Sequence, residues 1–265
     1  MSTFFEKIND LDILLHCDGY EREYFFAECS RLAYKGQKLA SKEFKKVGFT
    51  SYKFCSVEGA QCHIVKNRDY IVIAFRGTEP RQFSDIKADL MAWKRKSRTE
   101  GHVHAGFKNE LDKLWADIKM GLSRNGDRTI FLCGHSLGGA IATVCASRLE
   151  KDVEELYTYG SPRVGGDIFR DNLLVDHCRV VNNNDMVAKV PFWFMGYRHH
   201  GYLTYINHYG NIREMTSWQK LKDQIRGRWC ALRNFQMFDG IRDHDINKYC
   251  KKLKSLVKIE PTFGE

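Results

Sequence analysis

A stretch at residues 129–146 constrains the fold of this chain more than any other. It starts with an apolar, β-favouring run at 129–133, continues as Gly-His-Ser-Leu-Gly-Gly-Ala at 134–140, and ends in small and apolar residues typical of a helix. This order predicts a strand, a sharp turn and a helix, with Ser136 on the turn. The N-terminus of such a helix favours developing negative charge. We therefore predict that Ser136 is a nucleophile whose hydroxyl projects above the edge of a sheet.

A glycine-rich turn without any chemistry is the structural alternative for this stretch. Glycine allows a strand and a helix to approach closely whether or not the turn carries a nucleophile. The apolar strand before the turn and the additional Gly139 and Ala140 match the geometry that a nucleophilic turn requires. The context therefore favours the catalytic interpretation.

Length and composition predict one globular domain over residues 1–265. The chain is 43% hydrophobic and shows no linker rich in Pro, Ser or Gly that would divide it. The first ten residues lack a basic segment followed by an apolar core, and no later run is long enough to span a membrane. These features predict neither a signal peptide nor a membrane anchor.

The cysteines predict a reducing compartment. The chain has nine, an odd number, and Cys133 and Cys145 lie in the apolar segments that flank the turn, where a buried thiol is expected. Only Cys55 and Cys62, on neighbouring predicted strands, are placed closely enough to pair. With no C-x-x-C motif to suggest a metal site, we predict a cytoplasmic protein.

The charge is strongly positive and unevenly distributed. The formal net charge is +9, and basic residues concentrate at 94–98 and 218–258. Such surfaces attract phospholipid headgroups or nucleic acid, and no nucleic-acid-binding motif accompanies them. A membrane surface is therefore the expected partner, with a solvated basic face as the alternative.

The order of the periodic segments predicts an α/β fold. A helical pattern at 19–34 precedes three β-rich runs separated by short turns, which predict antiparallel strands. Later strands alternate with helical segments, as in parallel sheets. The fold class is therefore a mixed, mostly parallel central sheet flanked by helices. The predicted strands are 49–56, 61–66, 70–75, 129–133, 156–159, 178–181 and 202–206.

The third β-run ends in Phe-Arg-Gly-Thr at 75–78, where a backbone N–H and the Thr78 hydroxyl could stabilise an oxyanion. Ordinary turn chemistry is the alternative. The following residues, 81–93, carry apolar side chains at helical spacing and predict either a lid over the site or a plain surface helix.

Candidates for the remaining catalytic groups follow the serine in the chain. Asp185 lies just beyond a predicted strand, at the sheet edge where such folds place their sites, although an Asx-turn would also explain it. A histidine should follow the acid. Position alone does not decide among the candidates, which are His199, His200, His208 and His244.

Several motifs in one order resemble the class 3, or fungal-type, lipases of the α/β-hydrolase fold. The resemblance extends from about residue 20 to residue 250. The motifs are Phe-Arg-Gly-Thr at 75–78, Asp-Leu at 89–90, His-Ala-Gly-Phe at 104–107, Gly-His-Ser-Leu-Gly-Gly-Ala at 134–140, Tyr-Gly-Ser-Pro-Arg-Val-Gly at 159–165 and Asn-Asp-Met-Val at 184–187.

This resemblance implies a role for each matching residue. Ser136 corresponds to the nucleophile and Asp185 to the acid, while Thr78 and the N–H of Leu137 form the oxyanion hole. The family has two recurring histidines after the acid, and the one near the C-terminus is usually catalytic. This points to His244, with His199 as the alternative. No metal or organic cofactor is implied.

The resemblance also implies a lipase, a carboxylic-ester hydrolase acting on acylglycerols or related acyl lipids through an acyl-enzyme. A phospholipase A1 on anionic membranes and a soluble short-chain esterase would share the same residues. A lipase-like scaffold without activity is a further alternative. Residues 218–258 interleave aromatic and basic side chains, which suits an anionic membrane surface or helices that cover the sheet.

Overall fold

The computed structural model describes residues 4–6, 8, 11, 20–77, 93–123, 126–212 and 242–257. The helices are α1 Tyr20–Leu32, α2 Gln37–Lys46, α3 Ala105–Leu122, α4 Leu137–Leu149, α5 Asp167–Asp171 and α6 Ile246–Leu256. The strands are β1 Ser51–Val57, β2 Ala60–Lys66, β3 Tyr70–Phe75, β4 Lys94–Lys96, β5 His102–His104, β6 Thr129–His135, β7 Val153–Tyr159, β8 Asp176–Asn182 and β9 Tyr202–Ile206. Short 3-10 turns lie at Glu150–Asp152, Val187–Lys189 and Trp193–Met195.

The main sheet has seven strands in the order β1-β2-β3-β6-β7-β8-β9. The first three strands pair antiparallel, and β3, β6, β7, β8 and β9 pair parallel. The sequence-based prediction of a mixed, mostly parallel sheet is therefore confirmed. Phe75 of β3 is the register partner of Gly134 of β6, so the segment after β3 and the turn after β6 leave the sheet side by side.

Alternating side chains of the central strands build two separate apolar layers. Phe131 and Cys133 of β6 pack with helices α1 and α6, whereas Ile130 and Leu132 pack with helices α3 and α4. On the first side, the Phe26 ring stacks on Tyr157 at a centroid distance of 4.3 Å. Because both faces of β6 are covered, the strand is apolar at nearly every position, as expected for a central parallel strand.

Two elements were not predicted from the sequence. Helix α2 is mostly polar and buries few side chains, among them Ala40 and Phe44, so its apolar stripe is too weak to recognise. The basic cluster at 94–98 contributes strand β4, which pairs with β5 in a hairpin of three residues per strand. Such short strands carry too few residues to show alternation.

The cysteines in the described part of the chain are all buried free thiols. Cys55 and Cys62 are register partners on β1 and β2, which agrees with their prediction as neighbours. Within the same ranges, every helix is too short or too polar to cross a bilayer.

Parts of the sequence-based prediction lie outside the described residues. These are Thr78, the predicted lid at 81–93 apart from Trp93, and the aromatic and basic segment at 218–258 apart from 242–257.

Candidate active site

Ser136 lies on a sharp turn between β6 and α4, as the sequence predicted. Its backbone φ is 59° and its ψ is −131°, a left-handed conformation that is strained for a residue with a side chain. A Cβ atom added at Gly134 would collide with the backbone of Gly138. The two glycines therefore permit the close approach of strand and helix that the strained serine requires.

The Ser136 hydroxyl lies inside a closed site and not above an open sheet edge as expected. The residue is only 1% exposed. Its Oγ makes no hydrogen bond to any described residue. A Cβ atom at Gly77, just after β3, would lie 3.3 Å from the Ser136 Cβ, so the segment after β3 packs directly on the turn. A substrate therefore reaches Ser136 only after a local rearrangement.

Asp185 and His244 form a buried hydrogen-bonded pair. His244 Nδ1 donates to the Asp185 carboxylate at 2.8 Å from Oδ2 and 3.0 Å from Oδ1. The carboxylate also accepts from the Val187 N–H at 2.8 Å and from the Tyr249 hydroxyl at 2.5 Å. Burial and the neighbouring Asp185 charge raise the pKa of Tyr249 well above 10, so its hydroxyl remains a donor. Three donors thus compensate for the burial of one carboxylate.

The other predicted histidines take different positions. His199 Nε2 donates to the Ala188 carbonyl at 2.8 Å, and His200 contacts His177 with 3.1 Å between their Nδ1 atoms. Among the described histidines, only His244 is within hydrogen-bonding distance of Asp185. The alternative His199 therefore has no contact with the predicted acid.

His135 connects the serine turn to the loop before α6, which carries His244 and is called the histidine loop below. Its Nε2 donates to the His244 carbonyl at 2.7 Å, so its Nδ1 accepts from the Tyr34 hydroxyl at 2.8 Å. The two imidazole rings lie 4.4 Å apart. Burial and the adjacent His244 lower the pKa of His135 well below 6.5, which keeps its ring neutral. The residue before Ser136 thus holds the backbone that carries His244.

The asparagine run before Asp185 provides a second attachment for this loop. Asn182 donates through Nδ2 to the Asp243 carbonyl at 2.8 Å, and Asn183 donates to the Asp243 carboxylate at 2.9 Å. The Asn184 N–H donates to the same carboxylate at 3.3 Å. Because Asp243 immediately precedes His244, these bonds fix the histidine beside the acid.

Small residues create the room that this packing needs. Gly160, just after β7, has a φ of +56°, and a Cβ atom there would collide with Asp185 and lie 2.9 Å from His244 Nδ1. Leu137 is the first residue of α4, so its N–H is among those that a helix cannot satisfy internally. This places the Leu137 N–H next to the serine, where we predicted one oxyanion donor.

Four residues of this arrangement were not predicted from the sequence: Tyr34, His135, Asp243 and Tyr249. Each acts through a partner that is distant in the chain, such as the pair Tyr34 and His135, 101 residues apart. The one available signal was the run of three asparagines at 182–184, which is unusual directly after a buried strand.

Comparison with known proteins agrees with the resemblance seen in the motifs. Residues 72–195 match the family described as Lipase (class 3). The chain is 42% identical over 106 residues to secreted mono- and diacylglycerol lipase 1 of Fusarium solani, which covers 37% of this chain and 32% of that protein. It is 32% identical over 149 residues to secreted mono- and diacylglycerol lipase A of Penicillium cyclopium, which covers 49% of this chain and 45% of that protein. The chain thus spans less than half the length of these two relatives.

A solved structure extends the likeness to the fold. The lipase from Rhizopus microsporus var. chinensis superposes with a TM-score of 0.58 at 24% identity, over 70% of this chain and 74% of that chain. The predicted α/β-hydrolase fold is therefore confirmed.

The predicted cytoplasmic localisation was wrong. The Fusarium and Penicillium relatives are both named as secreted enzymes, which contradicts it. The prediction relied on thiols and on the first residues of the chain. Buried thiols such as Cys133 and Cys145 pack as small apolar side chains in any compartment, so they carry little information about location.

Proposed function

This chain belongs to the class 3 lipase family, and on that premise we propose that it hydrolyses carboxylic esters of acylglycerols with Ser136, His244 and Asp185. The observation that carries the proposal is the buried Asp185 and His244 pair, held against the strained serine turn by His135. A serine nucleophile needs a base and an acid that orients the base, and the pair supplies both groups, although Ser136 Oγ and His244 Nε2 make no hydrogen bond to each other here.

The contact with Asp185 determines which nitrogen of His244 carries the hydrogen. The carboxylate of Asp185 can only accept, so Nδ1 carries the hydrogen and Nε2 is left to receive the Ser136 proton. Ser136 Oγ then attacks the ester carbonyl to form a tetrahedral oxyanion. Collapse of this intermediate releases the alcohol, protonated by His244, and leaves an acyl-enzyme that water hydrolyses to the free acid.

The oxyanion would be stabilised by the N–H of Leu137 and by Thr78. Leu137 begins helix α4, whose N-terminus favours negative charge. Gly77, which directly precedes Thr78 in the chain, packs against the Ser136 turn. Together with the serine, these groups would complete a site for acyl transfer.

Acylglycerols are the proposed substrates because the two relatives described above are named as mono- and diacylglycerol lipases. An exposed aromatic surface supports action at a lipid interface. It consists of Trp93, 88% exposed, and of Trp193 and Phe194, 66% and 68% exposed. Lys94 Nζ donates to the Gly196 carbonyl at 2.8 Å, which holds the two segments together. Tryptophan and phenylalanine beside basic residues favour a membrane surface.

A phospholipase A1 acting on anionic membranes is the second candidate. Strand β4 places Lys94, Arg95 and Lys96 directly after Trp93, so positive charge adjoins the aromatic surface. Anionic headgroups would be attracted to this edge.

Hydrolysis by purified Ser136→Ala and Ser147→Ala variants tests the proposal. Ser147 is also buried and lies on α4. Its hydroxyl donates to the Val144 carbonyl and has no role in the site. The Ser136 variant should lose activity by a factor of about 10⁴ or more, and the Ser147 variant should retain it. Turnover that persists in folded Ser136→Ala protein would refute the proposal.

The choice of substrate separates the candidates. Native enzyme should be most active on emulsified diacylglycerol. A preference for anionic phospholipid vesicles would identify a phospholipase, and a preference for soluble nitrophenyl esters an esterase. A native protein inert on all three would be a scaffold.

A further inference from the structure

A second, partly buried polar cluster lies between strand β8 and the segments that follow β7 and the Val187–Lys189 turn. It surrounds a small cavity of about 10 Å³, lined in part by Thr143 and Ser161. Three arginines and three histidines also line this cavity, and no carboxylate of the described chain does. They are Arg170, Arg179, Arg198, His177, His199 and His200.

Arg179 differs from the other arginines around this cavity. Arg170 pairs with Asp167 and Asp171, and Arg198 also pairs with Asp167. Arg179 has no ion pair or hydrogen bond with any described residue, and its Nε is closed to solvent. Its register partners on the two flanking strands are Thr158 and Leu203, neither of which carries a charge.

The positive charge at this position is reinforced by a second arginine. The Arg163 guanidinium donates to the carbonyls of Lys189 and Pro191, which leaves its charge without a carboxylate. Burial and the nearby Arg163 lower the pKa of Arg179 to about 10. Arg179 therefore still carries a full charge at neutral pH.

The histidines do not compensate for this charge. His177 Nε2 contacts the Thr158 hydroxyl at 2.8 Å, and its other nitrogen contacts His200. Burial, together with the positive charges nearby, lowers the pKa of His177 well below 6.5, so the ring is neutral. Arg179 is partly exposed, its buried Nε has no acceptor among the described residues, and the side chain keeps its charge because arginine does not lose its proton.

We propose that this cavity binds a small inorganic anion of halide size against the Arg179 guanidinium. A volume of about 10 Å³ accommodates roughly one water-sized species. A single-atom anion such as chloride is nearest to this size. The bound anion supplies the counter-charge that the described residues do not provide here and joins β8 to the segment after β7.

Crystals of the native chain grown or soaked in sodium bromide test this directly. The anomalous signal of bromide should show one strong site within hydrogen-bonding distance of the Arg179 guanidinium. A water molecule in the cavity with bromide only on the outer surface would overturn the proposal. So would a carboxylate from elsewhere in the chain seated on Arg179.

Thermal unfolding provides a second, solution measurement. Sodium chloride should raise the Tm of the native chain by about 2–4 °C, saturably, relative to sodium gluconate at equal ionic strength. The halide effect should disappear in Arg179→Met and persist in Arg170→Met, which removes an arginine that is already paired with aspartates. An equal halide effect in all three proteins would overturn the proposal. If Arg179→Met does not fold, the bromide experiment on the native chain decides alone.

Discussion

Two polar clusters contact neighbouring residues of the segment after β7, and they differ in how their charged groups are compensated. Gly160 approaches Asp185 and His244, and Ser161 lines the cavity at Arg179. The Asp185 carboxylate accepts from three donors, whereas the Arg179 guanidinium has no acceptor among the described residues. The first cluster is internally complete, as a preorganised catalytic site must be. The second is complete only with a ligand.

The two clusters also separate two histidines that the sequence could not distinguish. His244 belongs to the complete cluster and is oriented by Asp185. His199 belongs to the other and is held by a backbone carbonyl. The two histidine rings therefore differ in their hydrogen-bond partner. Four predictions test this difference and the contacts around it.

The largest expected effect is the contrast between His244→Ala and His199→Ala. The first variant should lose hydrolysis by a factor of about 10⁴ or more, because Ser136 loses its base. The second should retain hydrolysis and lose roughly 1–3 kcal/mol of unfolding free energy, since the Ala188 carbonyl loses its donor. Steady-state kinetics and urea unfolding of both variants check this. Loss of activity only in His199→Ala would reverse the assignment.

A smaller effect is expected from removing one donor to the acid. Tyr249→Phe leaves Asp185 with two of its three donors, so kcat should fall about tenfold with little change in KM. Tyr157→Phe is a matched control, because Tyr157 also donates to a carboxylate, Glu155 at 2.6 Å, away from the site. Equal kcat values in the two variants would show that Tyr249 does not position the acid.

The attachment of the histidine loop should have a comparable or smaller effect. Asn183→Ala removes the side-chain donor to Asp243, which holds the residue before His244. We expect kcat to fall by a factor of roughly 3–10, with the unfolding free energy reduced by about 1–2 kcal/mol. Asn172→Ala is the control, since Asn172 donates to the Ile168 carbonyl on the exposed surface. An unchanged kcat in Asn183→Ala would show that this hydrogen bond does not position His244.

The smallest effect concerns pH. Burial and neighbouring positive charges hold the pKa of His177 well below 6.5 in the folded chain, whereas the unfolded chain binds a proton near pH 6.5. The contribution of His177 to the free energy of unfolding is therefore fully present above about pH 6.5. It declines as the pH falls below this value, by up to about 1.4 kcal/mol per pH unit. His177→Gln should flatten this slope in urea unfolding between pH 7 and 5. An unchanged slope would contradict the assignment of a neutral, buried ring.

Whether the sequence predicts a feature of this molecule depends on how far apart in the chain the interacting residues lie. The turn at Ser136 was predictable because glycine spacing and an apolar strand are local signals. Strand β3 was predictable for the same reason. The sequence did not reveal Tyr249 as a donor to Asp185, because the fold alone brings together residues 64 positions apart.

The choice between His199 and His244 shows the same limit. Both follow the acid and both precede a regular element, so only the family resemblance favoured His244. The closed state of Ser136 was also not predictable, because it depends on residues distant in the chain, such as Gly77, that pack against the turn. Burial of this kind is a property of the assembled fold and not of any one motif.

The most direct test of the account is covalent labelling of the native protein with a fluorophosphonate, which reacts with activated serines. Peptide mapping by mass spectrometry should find the adduct on Ser136, with labelling abolished in His244→Ala and retained in Ser147→Ala. An adduct on any other residue, or a folded native protein that takes up no label, would contradict the assignment of Ser136 as the nucleophile.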